Sequence, residues 1–311
     1  MRTLPGAGCE PVGLDVLPSD FTQHVGSIVD RAQVRRCMAG VDAVVHAATL
    51  HKPHVATHRR QDFVDVNVTG TLNLLEEAAA AGVRRFVFTS TTSTFGRAAS
   101  PPPGEPAAWI NEDVAPLPKN IYGVTKLAAE NLCELFHRRG ALDCIVLRTS
   151  RFFFEADDVK ARREAYDDAN LKLNELSYRR VDLADVVDAH LCALERAPEI
   201  GFARYIVSAT TPFERGDLAE LNRDAAAVLA RRVPAYTSVY ARRGWTMLPA
   251  LERVYVNARA RSELGWSPRV DFVSALAQVR AGEDFRSPLA RAVGAKGYHP
   301  QSFAEGPYPV E

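Results

Sequence analysis

The residues with most chemical potential in this 311-residue chain are Tyr122 and Lys126, in the run YGVTK. Positions four apart share one face of a helix, so a phenol and an ammonium there point into the same place. A phenol with a reference pKa of ~10 is a poor base until a nearby cation stabilises its phenolate. Lys126 supplies that charge. The same spacing also occurs as a solvated pair on a surface helix, so context must decide. Upstream, the apolar run FVFTS leads into Thr91, Thr92, Ser93, Thr94, Phe95 and Gly96, a hydroxyl-rich turn at the end of a strand. His46, His51, His54 and His58 form a second cluster, with 51, 54 and 58 on one face if helical. No Cys or acid completes a ligand set, so no metal is expected, and His51 and His54 read as substrate contacts at the rim of a pocket.

These residues need a scaffold. Short apolar runs at Pro11–Asp15, Ala43–Ala47, Arg85–Ser90 and Asp143–Thr149 alternate with helical patterns at Asn67–Ala81 and Tyr122–Arg139. In the first, Leu72, Leu75 and Ala79 mark the apolar face. Such alternation demands a parallel sheet with crossover helices on both faces, an α/β doubly wound architecture. A charged helical stretch follows at Asp157–Leu176, then RRVDLADVVDAHLCALE, with Val181, Val186, Val187, His190 and Leu191 as its face, and a strand at Tyr205–Ala209. The expected division is a sheet domain over 1–150, to which 179–209 returns, and a smaller lobe from 151–178 and 210–311 over the sheet's C-terminal edge, where ligands bind in open α/β sheets. PPPGEP (101–106) reads as a loop and not a linker.

Composition narrows the partners. Lys+Arg 38 against Asp+Glu 38 gives a formal net charge of zero, which argues against nucleic acid or a membrane surface. No uncharged apolar run approaches the ~18–20 residues of a membrane span. Five cysteines without C-x-x-C spacing, and an N-terminus with no apolar signal core, point to reduced thiols and the cytoplasm.

Taken together, VDAVVHAAT (41–49), DVNVTGTLNLLEEA (65–78), RRFVFTSTTSTFG (84–96), YGVTKLAAEN (122–131), IVLRTSRFF (145–153), RRVDLADVVDAH (179–190) and ARSELGWSP (260–268) resemble, in order, the extended short-chain dehydrogenase/reductase family of NAD-dependent epimerases, dehydratases and reductases. The resemblance implies a Rossmann-type fold and Tyr-Lys-assisted hydride transfer on a sugar or nucleotide-sugar. It makes Tyr122 the acid/base, Lys126 the lysine that lowers its pKa and bonds the nicotinamide ribose, and Thr91 the hydroxyl on the reacting oxygen, with Thr92 and Ser93 as fallbacks beside the substrate. It places Asp15 on the adenosine ribose, where a carboxylate favours NAD over NADP, Ser27 and Ile28 beside the adenine, and Ala47, Ala48 and Thr49 under the diphosphate and ribose. The helix from Tyr122 resembles one that pairs subunits, which implies a homodimer.

The family pattern is broken in two places. Its first strand and G-x-x-G-x-x-G loop precede the acidic residue by roughly 20 residues, whereas only 14 precede Asp15, and Gly6 and Gly8 leave no room for the intervening helix. The expectation is a missing first strand through a misassigned start, the alternative being a shortened variant that holds no dinucleotide. Arg151 stands where the sugar-nucleotide enzymes carry asparagine. It offers a positive fork to an acidic substrate, or an ion pair to Glu155 or Asp157. Two rival functions remain: an NAD(P)-dependent alcohol or ketone oxidoreductase on a non-sugar substrate, and a non-catalytic dinucleotide-responsive or scaffold protein.

Overall fold

The structure is a computed structural model and describes residues 1–102, 104–295, 297–299, 303 and 306, so Pro103 of the 101–106 loop lies outside the described residues. In chain order the elements are β1 (Leu14–Asp15), β2 (His24–Val25), α1 (Arg31–Cys37), β3 (Ala43–His46), α2 (Arg60–Phe63), a π-helical segment (Val64–Thr69), α3 (Gly70–Ala80), β4 (Arg85–Thr91), β5 (Ala108–Ile110), α4 (Ile121–Arg138), β6 (Asp143–Thr149), α5 (Lys160–Ala165), α6 (Asp168–Leu176), α7 (Leu183–Ile200) and β7 (Phe202–Val207). They continue with α8 (Leu218–Leu221), α9 (Ala225–Arg232), α10 (Ala235–Arg243), β8 (Arg253–Tyr255), α11 (Ala258–Glu263), α12 (Phe272–Ala281) and α13 (Pro288–Val293). Four strands form one sheet in the order β3-β4-β6-β7, and β1-β2 and β5-β8 form two-stranded sheets.

The first compact unit comprises 1–90, 120–147 and 190–204. β3 and β4 pair in parallel from Ala43↔Arg85 to His46↔Phe88, and β1 pairs in parallel with β2. A parallel strand needs a crossover, here α2, the π segment and α3 in continuous succession. The core gathers Val34, Leu75, Ala78, Phe86, Phe88 and Val146, all fully or almost fully buried. Along α3 Leu75 is buried as read, with Thr71, Leu74 and Ala78 beside it, whereas Leu72 and Ala79 are half-buried, because the stripe turned to the core is centred about one position earlier. Gly70 is required by packing, since a Cβ there would lie 2.6 Å from the Ile28 side chain.

The second unit comprises 91–119, 148–189 and 205–311. Its main core includes Leu171, Leu173, Val228, Leu229, Phe272 and Leu276. Phe95, Ala99, Ile110, Ile206 and Tyr255 form a further cluster. These units divide the chain differently from the boundaries read in sequence, because β5, within the first 150 residues, pairs with β8 more than 140 residues later. Gly96 has φ +48°, and a Cβ there would lie 2.1 Å from the Leu117 carbonyl, so this close crossing admits only glycine.

Asp143–Thr149 is a strand as read. Pro11–Asp15 shrinks to β1, Ala43–Ala47 ends at His46, and Tyr205–Ala209 moves forward to β7. The charged stretch 157–176 splits into α5 and α6, because Asp167 accepts from the Ala169 and Asn170 amides and starts a new helix. On α7 the buried apolar positions are Leu183, Val186, Ala189, Ala193 and Ala197. Small alanines, not the larger Val187, His190 and Leu191, mark its covered side.

Candidate active site

Asn120 caps α4 by accepting the Gly123 amide, and the helix then carries Tyr122 and Lys126 one turn apart. Both are buried, Tyr122 at 6% exposure and Lys126 at 1%. The Lys126 ammonium donates to the Thr89 carbonyl at 2.7 Å and lies 4.0 Å from the centre of the Phe88 ring. Burial pulls its pKa down to about 7, against the opposing pull of Glu130 and Cys133. Glu130, fully buried, does not serve the lysine alone: it accepts from Ser90 Oγ at 2.6 Å and from Arg204 Nε at 3.2 Å. The result is a buried cation that can lose its proton near neutral pH.

Sequence reasoning missed the residue that fixes the surroundings of this pair. Asn67, in the π segment and 2% exposed, accepts from Thr49 Oγ1 and the Leu50 amide, both at 2.8 Å. Its own amide donates to the Leu50 carbonyl at 3.1 Å and to Thr125 Oγ1 at 3.0 Å. One side chain therefore ties the chain after β3 to α4. The available signal was a polar residue in the buried phase of a helical run. His46 Nε2 donates to Thr71 Oγ1 at 2.8 Å, since Thr71 gives its own proton to the Asn67 carbonyl. Its Nδ1 has no partner among the described residues, and burial, then the charge of Lys126, hold the ring neutral. His51 is half-buried with its ring 6.2 Å from that of Tyr122, and its backbone amide donates to His54 Nδ1 at 2.9 Å. His51, His54 and His58 share no helix, only a short 3-10 turn at Lys52–His54. Among the described residues no group of three His, Cys, Asp or Glu is placed to hold a metal ion.

The remaining expected positions of the first unit lie at or just after the ends of β1, β2 and β3. Asp15 is exposed at the end of β1, with Oδ1 accepting from the Leu17 amide at 2.9 Å. Ser27 Oγ accepts from Val29 at 3.2 Å, and the Ile28 carbonyl takes the Asn73 amide at 3.0 Å. After β3, Ala47 is exposed and Ala48 and Thr49 half-buried, small enough for close approach. Gly6 lies within an exposed 3-10 turn, Pro5–Ala7, that Gly8 closes, and the two open no α-helix, so they do not form the phosphate cradle of a helix N-terminus.

In the second unit, Thr91 ends β4 at 8% exposure. Its hydroxyl accepts from the Ser93 amide at 3.1 Å, which leaves its proton to donate. Thr92 is buried and Ser93 half-buried. Arg151 meets Asp157 at 3.2 Å, Asp158 at 2.7 Å and Glu175 at 3.2 Å, so the positive fork expected for an acidic substrate is matched inside the unit. Arg179 and Arg180 reach the same Glu175 at 2.7 and 2.6 Å. Burial pushes the Glu175 carboxyl up, but Arg180, Arg179 and Arg151 together outweigh it and hold the pKa far below the usual range.

Comparison with known proteins bears on the family and the fold. A family model described as the NAD dependent epimerase/dehydratase family matches residues 1–203. A UDP-glucose 4-epimerase of Rhizobium leguminosarum bv. trifolii is 32% identical over 154 residues, 47% of this chain and 45% of that one. A UDP-glucose 4-epimerase of Rhizobium meliloti is 26% identical over 304 residues, 87% of this chain and 88% of the other. A solved short-chain dehydrogenase/reductase superfamily protein from Agrobacterium tumefaciens, with bound NAD, superposes with TM-score 0.61 over 90% of this chain and 92% of that one, at 22% identity, a likeness of fold. The chain spans 28%, 45% and 60% of the length of the first three curated relatives it matches.

Proposed function

The chain belongs to the NAD-dependent epimerase/dehydratase family, and on that premise we propose that it is an NAD-dependent epimerase, dehydratase or reductase of a sugar, in particular a nucleotide-linked one. The observation that carries the reading is the buried pair on α4: a phenol, and one turn away an ammonium whose proton is labile near neutral pH. When bound, NAD supplies the hydride acceptor. Tyr122 takes the proton of the substrate hydroxyl, and Lys126 stabilises the phenolate and offers its ammonium to the nicotinamide ribose. Asp15 accepts the adenosine ribose hydroxyls and repels a 2′-phosphate, which favours NAD over NADP. Ser27 and Ile28 border the adenine, and Ala47, Ala48 and Thr49 admit the diphosphate. Thr91 is the proposed hydroxyl on the reacting oxygen, with Thr92 and Ser93 as further substrate contacts.

Three attributes complete the reading. Five free cysteines support a cytoplasmic protein. Val124 and Leu135, exposed at 49% and 40% on α4, support a homodimer through that helix. No helix among the described residues is long and apolar enough to cross a membrane. Tyr122→Phe provides the test, with UDP-glucose and NAD as probes. Formation of UDP-galactose should fall about 10²–10⁴-fold while calorimetric NAD affinity stays close to that of the wild type. Undiminished turnover would overturn the reading. The second reading, a net alcohol oxidoreductase, is favoured by the imidazole beside the phenol, and NADH that accumulates with substrate separates it from an epimerase.

A further inference from the structure

Two clamps act on the residue next to Tyr122. Leu50, immediately before His51, is held on both peptide groups by Asn67, whose amide also reaches Thr125 on the helix that bears Tyr122. On the other side, the His51 amide is received by His54 Nδ1, and Pro53, buried, stiffens the turn between them. The backbone that carries His51 is thus held from both directions, and its ring lies 6.2 Å by centroid from that of Tyr122, with 40° between planes. Tyr122 is 6% exposed, whereas His51 is only half-buried, so the imidazole has more access to water than the tyrosine ring beside it. His54 has its Nδ1 engaged by the backbone and acts by positioning.

We propose that His51 is the group through which the Tyr122 phenol exchanges its proton with solvent, equipping this site for net oxidation or reduction of an alcohol as well as for return of hydrogen to the same substrate. The proposal rests on Tyr122 as the proton acceptor. In the oxidising direction a hydride passes from the carbinol carbon to NAD, and the substrate hydroxyl proton passes to the Tyr122 phenolate. The Tyr122 O–H bond then breaks as an N–H bond forms on the neutral His51 ring. That imidazolium gives its proton to water, and both groups are restored. The net change is one oxidised substrate, one reduced dinucleotide and one proton in solvent. An epimerase cycle needs no such exit, because the proton goes back to the sugar.

The titratable groups around His51 are Lys52 and His54 in its own segment and Tyr122 on α4, with Lys126 a turn further along that helix. The first test uses the whole chain labelled with ¹³C at tyrosine Cζ, the Tyr122 signal being the one lost in Tyr122→Phe. Its pH response should contain a component from Lys126 that survives His51→Phe, which keeps a ring in place, and a further component that is lost with the imidazole. A pH response that is the same in the wild type and in His51→Phe overturns the proposal. The second test supplies UDP-glucose and NAD to His51→Ala. The ratio of NADH to UDP-galactose should fall about tenfold or more, and added imidazole should restore it. If Tyr122→Phe leaves both products intact, the reading of Tyr122 itself fails. If it abolishes both while His51→Ala leaves their ratio unchanged, only the proton exit fails. The carbon titration decides by itself when UDP-glucose is not turned over.

Discussion

Two regions of this molecule bury charge, and they do so in opposite ways. In the second unit Glu175 is surrounded by Arg151, Arg179 and Arg180, with Asp157 and Asp158 beside them, and its carboxyl is held far below its ordinary pKa. In the first unit Lys126 has a carbonyl, an aromatic face and a share of Glu130, and its pKa falls towards neutrality. Matched charges stay ionised through any physiological pH and so serve architecture. A cation whose burial outweighs its partners can change protonation where the cell works, and this is a property chemistry can use. The contrast separates a cluster that keeps its charge from one that can change it, without reference to any relative.

Three measurements sharpen or break that contrast. The largest expected effect is at Glu175: Glu175→Ala leaves three buried or half-buried guanidinium groups without their shared carboxylate and should destabilise the chain by roughly 3–5 kcal/mol in urea. In the wild type this contribution is present above the carboxyl's unfolded pKa of 4.5 and is lost as pH falls below it, because the folded value is depressed. A loss too small to measure would mean that the cluster is not structural. Next comes Lys126. The unfolded chain binds its proton up to about pH 10.5, whereas the folded chain releases it near 7, so folding stability should rise with pH between these values. The difference between wild type and Lys126→Met should amount to something on the order of 4–5 kcal/mol across that window, with the variant the more stable below pH 7. Equal slopes would show the ammonium to be fully compensated. The smallest effect is at Arg151, which is 31% exposed and one of three cations around Glu175. Arg151→Ala should cost only about 1 kcal/mol after solvent screening, and a loss equal to that of Glu175→Ala would mean that the three arginines act as one unit.

What could be read from the sequence follows the range of the interaction. The Tyr122–Lys126 pair depends on a four-residue spacing inside one helix, and strand Asp143–Thr149 on a continuous apolar run. Both are local, and both are present. β5 and β8 are three residues each and exist because they pair with one another across more than 140 residues, which no window of sequence contains. Asn67 gave little warning, since its four bonds converge from Thr49, Leu50 and Thr125. Arg151 illustrates the reverse. Its type and position suggested an anion from outside, but Asp157, Asp158 and Glu175 supply negative charge from within the unit.

The π segment at Val64–Thr69 is closed by the Gly70 amide on the Asp65 carbonyl, a ring one residue wider than that of an α-helix. It works as a phase shifter. Asn67 must look towards Thr49 while Leu74, Leu75 and Ala78, on the same continuous coil, look into the core. The widened turn holds one residue more than an α-helical turn, and that extra residue lets Asn67 face Thr49 while the stripe that follows keeps its place on the core. Deleting one residue there would close the turn to α-helical width and carry Asn67 off its bearing, so the wide turn secures the amide clamp and not the apolar stripe.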